Sequence, residues 1–326
     1  LGSSAVDVWE TEGGLAADLL RRDFTVNALG LAFPEGRLVA PEGALEDLRA
    51  RRLRLPRDGV LVEDPLRVVR GARFLARLPG FRIDPAALPE LRRAARSLAR
   101  VAPERRLSEL DAILSAGPRP AALALRRLER WTALEALLPG LPRAARLRGV
   151  ALVSAAPAEA ASSLLRTLLL APAGTASAAA ALETLRASRR DRQLARTLLS
   201  LPRPRRAPPR RAAVVLLRRS APFSLEAVAF SSAAHGVAGR ALALEAGRLL
   251  SVRGALGRIL RPRRPVAAGD VARLLGVSGP ALGLALARLD DALATGDVRG
   301  PDEARAFLLG TDRGNIRERR VPTGPV

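Results

Sequence analysis

Residues 61–74 read LVEDPLRVVRGARF and mark the point at which the chain becomes predominantly helical. Asp64 followed by Pro65 predicts a helix start, because an aspartate carboxylate accepts from free backbone N–H groups and proline suits the first helical position. Before this point, residues 1–60 mix short strand-like pieces, turns and brief helices. Among these, the glycines at 13 and 14 predict the start of a helix that runs to about residue 31.

The helix after Pro65 carries three arginines, Arg67, Arg70 and Arg73. A spacing of three places them on roughly one side of the helix, one above another. Like charges in this arrangement repel each other, which does not stabilise the helix by itself. We therefore expect a negative or polar partner to lie against this face.

The composition limits the classes of function. The 326 residues carry a formal net charge of +22, and all 54 basic residues are arginine. A preference for arginine over lysine accounts for the bias, but the positive field still attracts polyanions such as nucleic acid. With no cysteine and one histidine, disulfides, thiolate metal sites and zinc clusters are excluded within this sequence. No uncharged apolar run has the length of a membrane span.

The sequence predicts a fold that is mostly α with a small α/β remnant. Breaks rich in proline and arginine at 201–212 and 261–265 separate helical segments. Residues 270–308 predict two or three helices joined by glycine turns. We expect four parts: 1–60, 61–140, 141–265 and 266–326.

Asp64 and Arg67 are candidate readers of a nucleobase. A carboxylate acceptor one turn from a guanidinium donor can offer both in one plane. Cytosine presents an amino donor beside a ring-nitrogen acceptor, and adenine does the same, whereas uracil and guanine reverse this order. The pair would therefore select C or A, with Arg70 and Arg73 facing phosphates. The alternative is a helix cap followed by solvated arginines.

A second charged motif, RRDFTVNAL, occupies residues 21–29. Arg21 and Arg22 could grip a triphosphate, and Asp23 could accept from a ribose hydroxyl. The alternative is a charged turn before a buried helix. Neither motif decides between these interpretations by itself.

Several motifs occur together: LLRRDFTVNAL (19–29), EGALEDLRARRLRL (42–55), EDPLRVVRGARFLARL (63–78), ERRLSELDAIL (104–114), LLPGLP (137–142) and GDVARLLGVSGPALGLALARLDDAL (269–293). In them the chain resembles the class II tRNA nucleotidyltransferase/poly(A) polymerase family, which includes the CCA-adding enzymes. The resemblance is strong over 15–142 and weak through the alanine-rich middle. It implies a partial nucleotidyltransferase (polymerase-β-like) head over 1–60. A helical neck with the template motif, a helical body and an RNA-binding helical tail would follow.

The resemblance also implies roles for individual residues. Asp64 and Arg67 correspond to the protein template that selects CTP and ATP. Residues 41–48 correspond to a flexible element that usually begins with an aspartate where this chain has Ala40, and residues 104–110 to a supporting neck helix. Five further residues would lie around the nucleotide's sugar and phosphates or in the same pocket: Arg21, Arg22, Asp23, Arg70 and Arg73.

The family's metal-binding motifs are absent from the sequence. Two divalent metals, here expected to be Mg²⁺, are held in the family by an aspartate-x-aspartate pair after a GG-x-x-R-D turn, and neither motif occurs in these 326 residues. Asp7, in SAVDVW (4–9), is a candidate third carboxylate, and the other metal ligands stay unassigned. We expect the first half of the head to be missing by truncation rather than by true loss, and the chain as given to be inactive.

The leading functional prediction is an RNA nucleotidyltransferase that adds CMP and AMP to tRNA 3′ ends from CTP and ATP. A bacterial poly(A) polymerase or A-adding enzyme shares the template motif, and a non-catalytic RNA-binding relative would explain the absent metal site. We expect tRNA or another RNA 3′ end as partner, no membrane, no stable protein partner and a cytoplasmic location.

Overall fold

The computed structural model describes residues 13–204, 209–252 and 254–310. It divides the chain into two units, Leu1–Ser200 and Leu201–Val326. The division falls at the start of the predicted linker, residues 201–212. The finer division into four parts stays a prediction.

Helices dominate the first unit. Its α-helices are α1 (Gly14–Leu20), α2 (Ala44–Arg49), α3 (Val60–Glu63), α4 (Arg67–Arg77), α5 (Leu88–Ala95), α6 (Pro103–Leu114), α7 (Pro118–Arg130), α8 (Ala133–Leu137), α9 (Arg143–Ser154), α10 (Ser162–Leu170), α11 (Thr175–Thr184) and α12 (Arg189–Leu199). Short 3₁₀ helices lie at Thr25–Asn27, Pro85–Ala87, Leu98–Arg100 and Ala171–Ala173. α4 packs on α6 and α7, and α7 packs in turn on α9.

Two small sheets lie in the part of the first unit that the structure describes. Strands β1 (Gly30–Ala32) and β2 (Arg37–Val39) pair antiparallel, with Leu31 opposite Leu38. Strands β3 (Arg52–Leu53) and β4 (Arg82–Ile83) pair in parallel, with Leu53 opposite Ile83. All four strands lie before residue 84, so the prediction of a mostly helical fold with a small α/β part near the start is confirmed.

The core of the first unit is mainly aliphatic. Leu91, Leu110, Leu125, Leu134 and Leu168, from α5, α6, α7, α8 and α10, are fully buried, and Trp131 is 5% exposed, as expected for a packing residue. Burying a leucine or isoleucine side chain contributes about 1.5–3 kcal/mol. The core therefore holds α4 as a rigid element. This helix carries the arginine face, formed by Arg67, Arg70 and Arg73.

The second unit contains α13 (Pro209–Arg219), α14 (Ser224–Ala234), α15 (Gly236–Ser251), α16 (Ala255–Leu260), α17 (Ala268–Leu275), α18 (Gly279–Thr295) and α19 (Pro301–Leu308). α13 packs on α14, α15 and α18. A small apolar cluster joins the last three helices: Val266, Val271, Leu289, Ala292, Val298 and Ala304. The prediction of two or three helices with glycine turns over 270–308 is confirmed, since Gly276 and Gly296 end helices in the left-handed conformation.

Two local predictions differ from the structure. The helix expected to reach residue 31 ends at Leu20. The buried Asp23 carboxylate accepts from the Phe24 backbone N–H, and Phe24 itself has an extended conformation (φ −140°) that a helix does not allow. The helix expected to start at Asp64–Pro65 begins at Arg67. The Asp64 carboxylate instead caps the turn before it.

In the described part of the chain, no single helix has the length and apolar character to cross a membrane. One bent pair, α17 with α18 at 112°, meets those two criteria when its helices are taken together.

Candidate functional site

The short helix α3 and the turn after it place Asp64 and Arg67. The Glu90 carboxylate is 7% exposed and accepts from the backbone N–H of Gly59 (3.0 Å) and Leu61 (2.7 Å), groups that have no partner at a helix start. Asp64 is extended, and its Oδ1 accepts from the Leu66 N–H at 3.2 Å. The Arg67 N–H donates to the Asp64 carbonyl at 3.1 Å, which sets the two residues one turn apart.

Both side chains of this pair already have a partner. Asp64 Oδ2 accepts from Arg105 Nη2 at 3.0 Å, and Arg67 Nη1 donates to the Val60 carbonyl at 2.8 Å. A carboxylate has about four acceptor positions and a guanidinium has five N–H donors. Each group therefore keeps hydrogen-bonding capacity for an additional ligand, and these contacts hold it in one orientation.

The arginine face of α4 lies against carboxylates of the protein. Arg73 Nε donates to Glu109 Oε2 at 2.9 Å, and Arg70 Nε lies 3.9 Å from Glu109 Oε1. Arg70 Nε also lies 3.0 Å from Asp23 Oδ2, but neither atom has an aligned hydrogen bond in the described structure. This contact is an ion pair. The expected negative partner is thus, in this structure, Glu109 together with Asp23.

The residues of the RRD motif lie at the end of α1. Asp23 is 2% exposed, and its Oδ1 accepts from the Phe24 N–H (2.9 Å) and from Asn27 Nδ2 (3.1 Å). Arg22 donates through Nε and Nη2 to Asp18 Oδ2, at 3.1 and 2.7 Å. The Arg21 side chain is exposed. The ion pair between Asp23 and Arg70 therefore brings the two predicted motifs together.

Gly71 allows the motif at 21–29 to lie close to helix α4. A Cβ at this position would lie 2.8 Å from Phe24 Cζ, well inside van der Waals contact. Phe24 is fully buried and packs edge-on against Phe74, with ring centroids 6.0 Å apart. The glycine in VVRGARF thus lets the motif at 21–29 pack directly on α4.

Asp47 is a buried carboxylate of the site that was not predicted from the sequence. It is 0% exposed and accepts from Thr25 Oγ1 (2.8 Å), Arg52 Nε (2.7 Å) and Arg54 Nε (2.7 Å). Arg52 and Arg54 are two residues apart, and this spacing puts both side chains on one side of an extended segment. The spacing of Arg52 and Arg54 is the sequence signal from which a shared carboxylate partner could have been predicted. Asp47 connects the segment 41–48 to the turn after Asp23.

Helix α6 contacts the site from the other side. Arg105 reaches Asp64 and Glu109 reaches the arginine face. Residues 104–110 were predicted to be a supporting helix without chemistry, and these contacts are those of a supporting helix. Glu63 lies at the edge of the site, where a hydrogen bond from Arg57 Nη2 (2.5 Å) lowers the pKa of its carboxyl group.

The described residues do not form a metal site. Among residues 13–204, 209–252 and 254–310, no group of three or more His, Cys, Asp or Glu side chains is placed to hold a metal ion. Asp7, the candidate third carboxylate, lies outside the described residues. The side chains present therefore do not fit the two metals that the sequence resemblance implies.

Comparisons with known proteins agree with this architecture. Residues 4–54 match the family model described as the poly A polymerase head domain, and residues 80–144 match the one described as the probable RNA and SrmB-binding site of polymerase A. The multifunctional CCA protein of Methylococcus capsulatus is 44% identical over 133 residues, which is 40% of this chain. That of Xanthomonas campestris is 44% identical over 131 residues, or 39% of this chain. The matched regions span only 30% and 31% of those relatives.

Solved structures match over a larger share of the chain. The Bacillus stearothermophilus CCA-adding enzyme in complex with CTP is 27% identical, with a TM-score of 0.68, over 92% of this chain and 75% of that one. The Thermotoga maritima CCA-adding enzyme complexed with tRNA has the same fold at 21% identity, with a TM-score of 0.58, over 91% of this chain and 74% of that one.

The fold and the site therefore define part of a nucleotidyltransferase head continued by a helical neck and body. The matched head and RNA-binding segments and the fold make the chain similar to the class II tRNA nucleotidyltransferase/poly(A) polymerase family.

Proposed function

We propose that the chain is part of an RNA nucleotidyltransferase that adds CMP and AMP to tRNA 3′ ends, using CTP and ATP and no nucleic-acid template. The observation that carries this proposal is the placement of Asp64 and Arg67 one turn apart, each held by a partner and each with unused hydrogen-bonding capacity. The likeness to a CCA-adding enzyme in complex with CTP supports it.

In this proposal each residue of the site has a defined task. Asp64 accepts from the exocyclic amino group of cytosine or adenine, and Arg67 donates to the adjacent ring nitrogen. Uracil and guanine would place a carbonyl oxygen against the carboxylate, leaving both acceptors unsatisfied. Sugar and phosphates would contact five further residues, through atoms not used in the ion pairs described above: Arg21, Arg22, Asp23, Arg70 and Arg73.

Phosphoryl transfer in this family implies a divalent metal, expected to be Mg²⁺, which supplies Lewis-acid stabilisation of the transferred phosphoryl group. The described residues do not form such a site, and we assign no step through it. We propose that residues 1–326, which contain no aspartate-x-aspartate pair, do not incorporate nucleotides by themselves. Asp7 stays a candidate contributor to the complete centre. Mg²⁺-dependent addition by this chain would contradict that assignment.

The base-reading role can be tested by binding, without turnover. Calorimetric titration of the chain with each of the four nucleoside triphosphates should show tighter binding of CTP and ATP than of UTP and GTP. Arg67→Ala should remove this preference, with an expected loss of about tenfold for CTP and ATP. Arg77→Ala is the matched control on the same helix, because Arg77 is exposed and donates to the Ala112 carbonyl and the Ser115 hydroxyl, away from Asp64 and Arg67. Equal preference for the four nucleotides in the unaltered chain would refute the role.

A poly(A) polymerase or A-adding enzyme is the second candidate, since both matched family models carry the poly(A) polymerase name. Tight ATP binding without CTP binding would favour it. The third candidate is a non-catalytic RNA-binding relative. Binding of tRNA with no selective nucleotide binding would favour that reading.

A further inference from the structure

Glu90 is a buried carboxylate whose two oxygens both bind the backbone of another helix. It belongs to α5, and its Oε2 and Oε1 accept from the backbone N–H of Gly59 and Leu61 at 3.0 and 2.7 Å. Burying a charged carboxylate is unfavourable unless hydrogen bonds replace those that it made with water. The two N–H groups supply this compensation, so Glu90 ties α5 to the beginning of α3.

One of these N–H groups shares a peptide group with the carbonyl that holds Arg67. The Leu61 N–H and the Val60 carbonyl belong to the peptide group between residues 60 and 61. Its N–H donates to Glu90 Oε1 at 2.7 Å, and its carbonyl accepts from Arg67 Nη1 at 2.8 Å. A peptide group is planar, so fixing the direction of the N–H also fixes the direction of the carbonyl. Glu90 and Arg67 are therefore connected through one rigid group.

The same connection acts electrostatically. A carboxylate that accepts from the N–H of a peptide group polarises that group, and its carbonyl oxygen becomes a stronger acceptor. The peptide group is buried, since Val60 and Leu61 are both 0% exposed. Arg67 itself has a side chain that is 17% exposed. The hydrogen bond from the Arg67 guanidinium to Val60 is thus strengthened in a place where water competes little for the carbonyl.

We propose that Glu90 is a positioning residue for base selection, which acts on Arg67 through the peptide group 60–61. Glu90 does not contact the nucleotide in this proposal. It keeps the Arg67 guanidinium in the single orientation that donates to the ring nitrogen of cytosine or adenine. The proposal rests on the proposed function, because it takes Asp64 and Arg67 as the pair that selects the base.

A positioning role has a different consequence from a role in stability alone. An arginine side chain has many rotamers, and one held in its binding orientation loses less freedom when the base binds. Once the peptide group 60–61 is loosened, Arg67 can also turn towards the carbonyl oxygens of uracil and guanine. CTP and ATP should therefore bind more weakly while UTP and GTP do not. A role in stability alone would change the affinity for the four nucleotides in the same proportion.

The test is calorimetric titration of the whole chain with CTP and with UTP. Glu90→Gln keeps the shape of the side chain but replaces one accepting oxygen with an amide group that cannot accept from an N–H. The ratio of CTP affinity to UTP affinity should fall about threefold to tenfold. In an Arg67→Ala background, Glu90→Gln should change the CTP affinity by less than about twofold, because the side chain through which it acts is gone. A full further loss in that background would overturn the proposal.

The matched control is Ala94→Gly, on the same helix. Ala94 is 1% exposed, and glycine in a helix interior destabilises α5 without removing either oxygen of Glu90. Urea unfolding shows that the control is destabilised, and its ratio of CTP affinity to UTP affinity should stay that of the unaltered chain. An equal fall of the ratio in Ala94→Gly and Glu90→Gln would overturn the proposal, because any loosening of α5 would then be sufficient.

A second measurement uses the unaltered chain and decides the question even where Glu90→Gln does not fold. Amide hydrogen exchange of Leu61, followed by NMR, should be at least about threefold slower with saturating CTP than with saturating UTP, because a base held by Arg67 tightens the peptide group 60–61. Equal exchange with the two nucleotides would overturn the positioning role. A clear preference for CTP in the unaltered chain, with the same ratio in Glu90→Gln, overturns this role alone. If the unaltered chain binds the four nucleotides equally, the proposed function fails as well.

Discussion

Replacing Glu109 tests whether one carboxylate stabilises the arginine face of α4. In Glu109→Gln the shape of the side chain is kept, while Arg70 and Arg73, one turn apart, lose their shared negative partner. The expected result is destabilisation of the first unit, because Arg73 would lose its carboxylate partner and Arg70 would keep only Asp23.

The magnitude follows from the burial of the pair. Removing one partner of a fully buried ion pair costs about 3–5 kcal/mol, whereas exposed pairs contribute about 0–1 kcal/mol. The side chains of Glu109 and Arg73 are each 17% exposed and that of Arg70 is 33% exposed, so the site lies between these limits. We expect a loss of about 2 kcal/mol in the free energy of unfolding, which corresponds to roughly a thirtyfold change in the folded-to-unfolded ratio.

The same helix provides a matched control. Glu104 also belongs to α6 and pairs with Arg186, but these side chains are 53% and 69% exposed. Glu104→Gln should therefore leave the free energy of unfolding almost unchanged, because solvent screens an exposed ion pair. The assay is urea unfolding followed by the fluorescence of the buried Trp131, in a Trp9→Phe background so that one tryptophan reports. Equal midpoints for the Glu109 and Glu104 variants would refute the reasoning, as would a double-mutant cycle with Arg73→Gln that shows no coupling.

Two further predictions concern packing and pH. Gly71→Ala should lower the free energy of unfolding by about 1–3 kcal/mol, because its Cβ would meet the Phe24 ring, and adding Phe24→Leu should recover part of the loss in the same urea assay. Burial, and secondarily the charge of Arg203, lowers the pKa of His235, the single histidine, below 6.5. The unfolded chain then binds a proton before the folded one as pH falls, so His235 contributes stability above about pH 6.5 that is lost as pH falls through the folded pKa. An NMR titration of its ring proton should give a pKa below 6.5, and His235→Gln should lack the decline in stability. A ring-proton midpoint at or above 6.5 would contradict this expectation.

Much of the candidate site was predictable from local patterns. The motifs at 21–29 and 63–74 were identified because charged residues at fixed spacing precede apolar helical runs. The structure brings them together through Asp23, Arg70 and the close packing at Gly71. The helix boundaries near residues 20 and 67 were mispredicted, because a buried aspartate and a capped turn set them.

Local sequence patterns were sufficient for the helical class of the chain, its small α/β part near the start and its positive charge. They also predicted an acceptor and a donor one turn apart at Asp64 and Arg67, whose role in reading a base stays a prediction. Which carboxylate neutralises each arginine depends on the tertiary fold. Glu109 lies 36 residues from Arg73, and Asp291 lies 73 residues from Arg218. Ion pairing depends on distance in space and on burial, and neither follows from position along the chain.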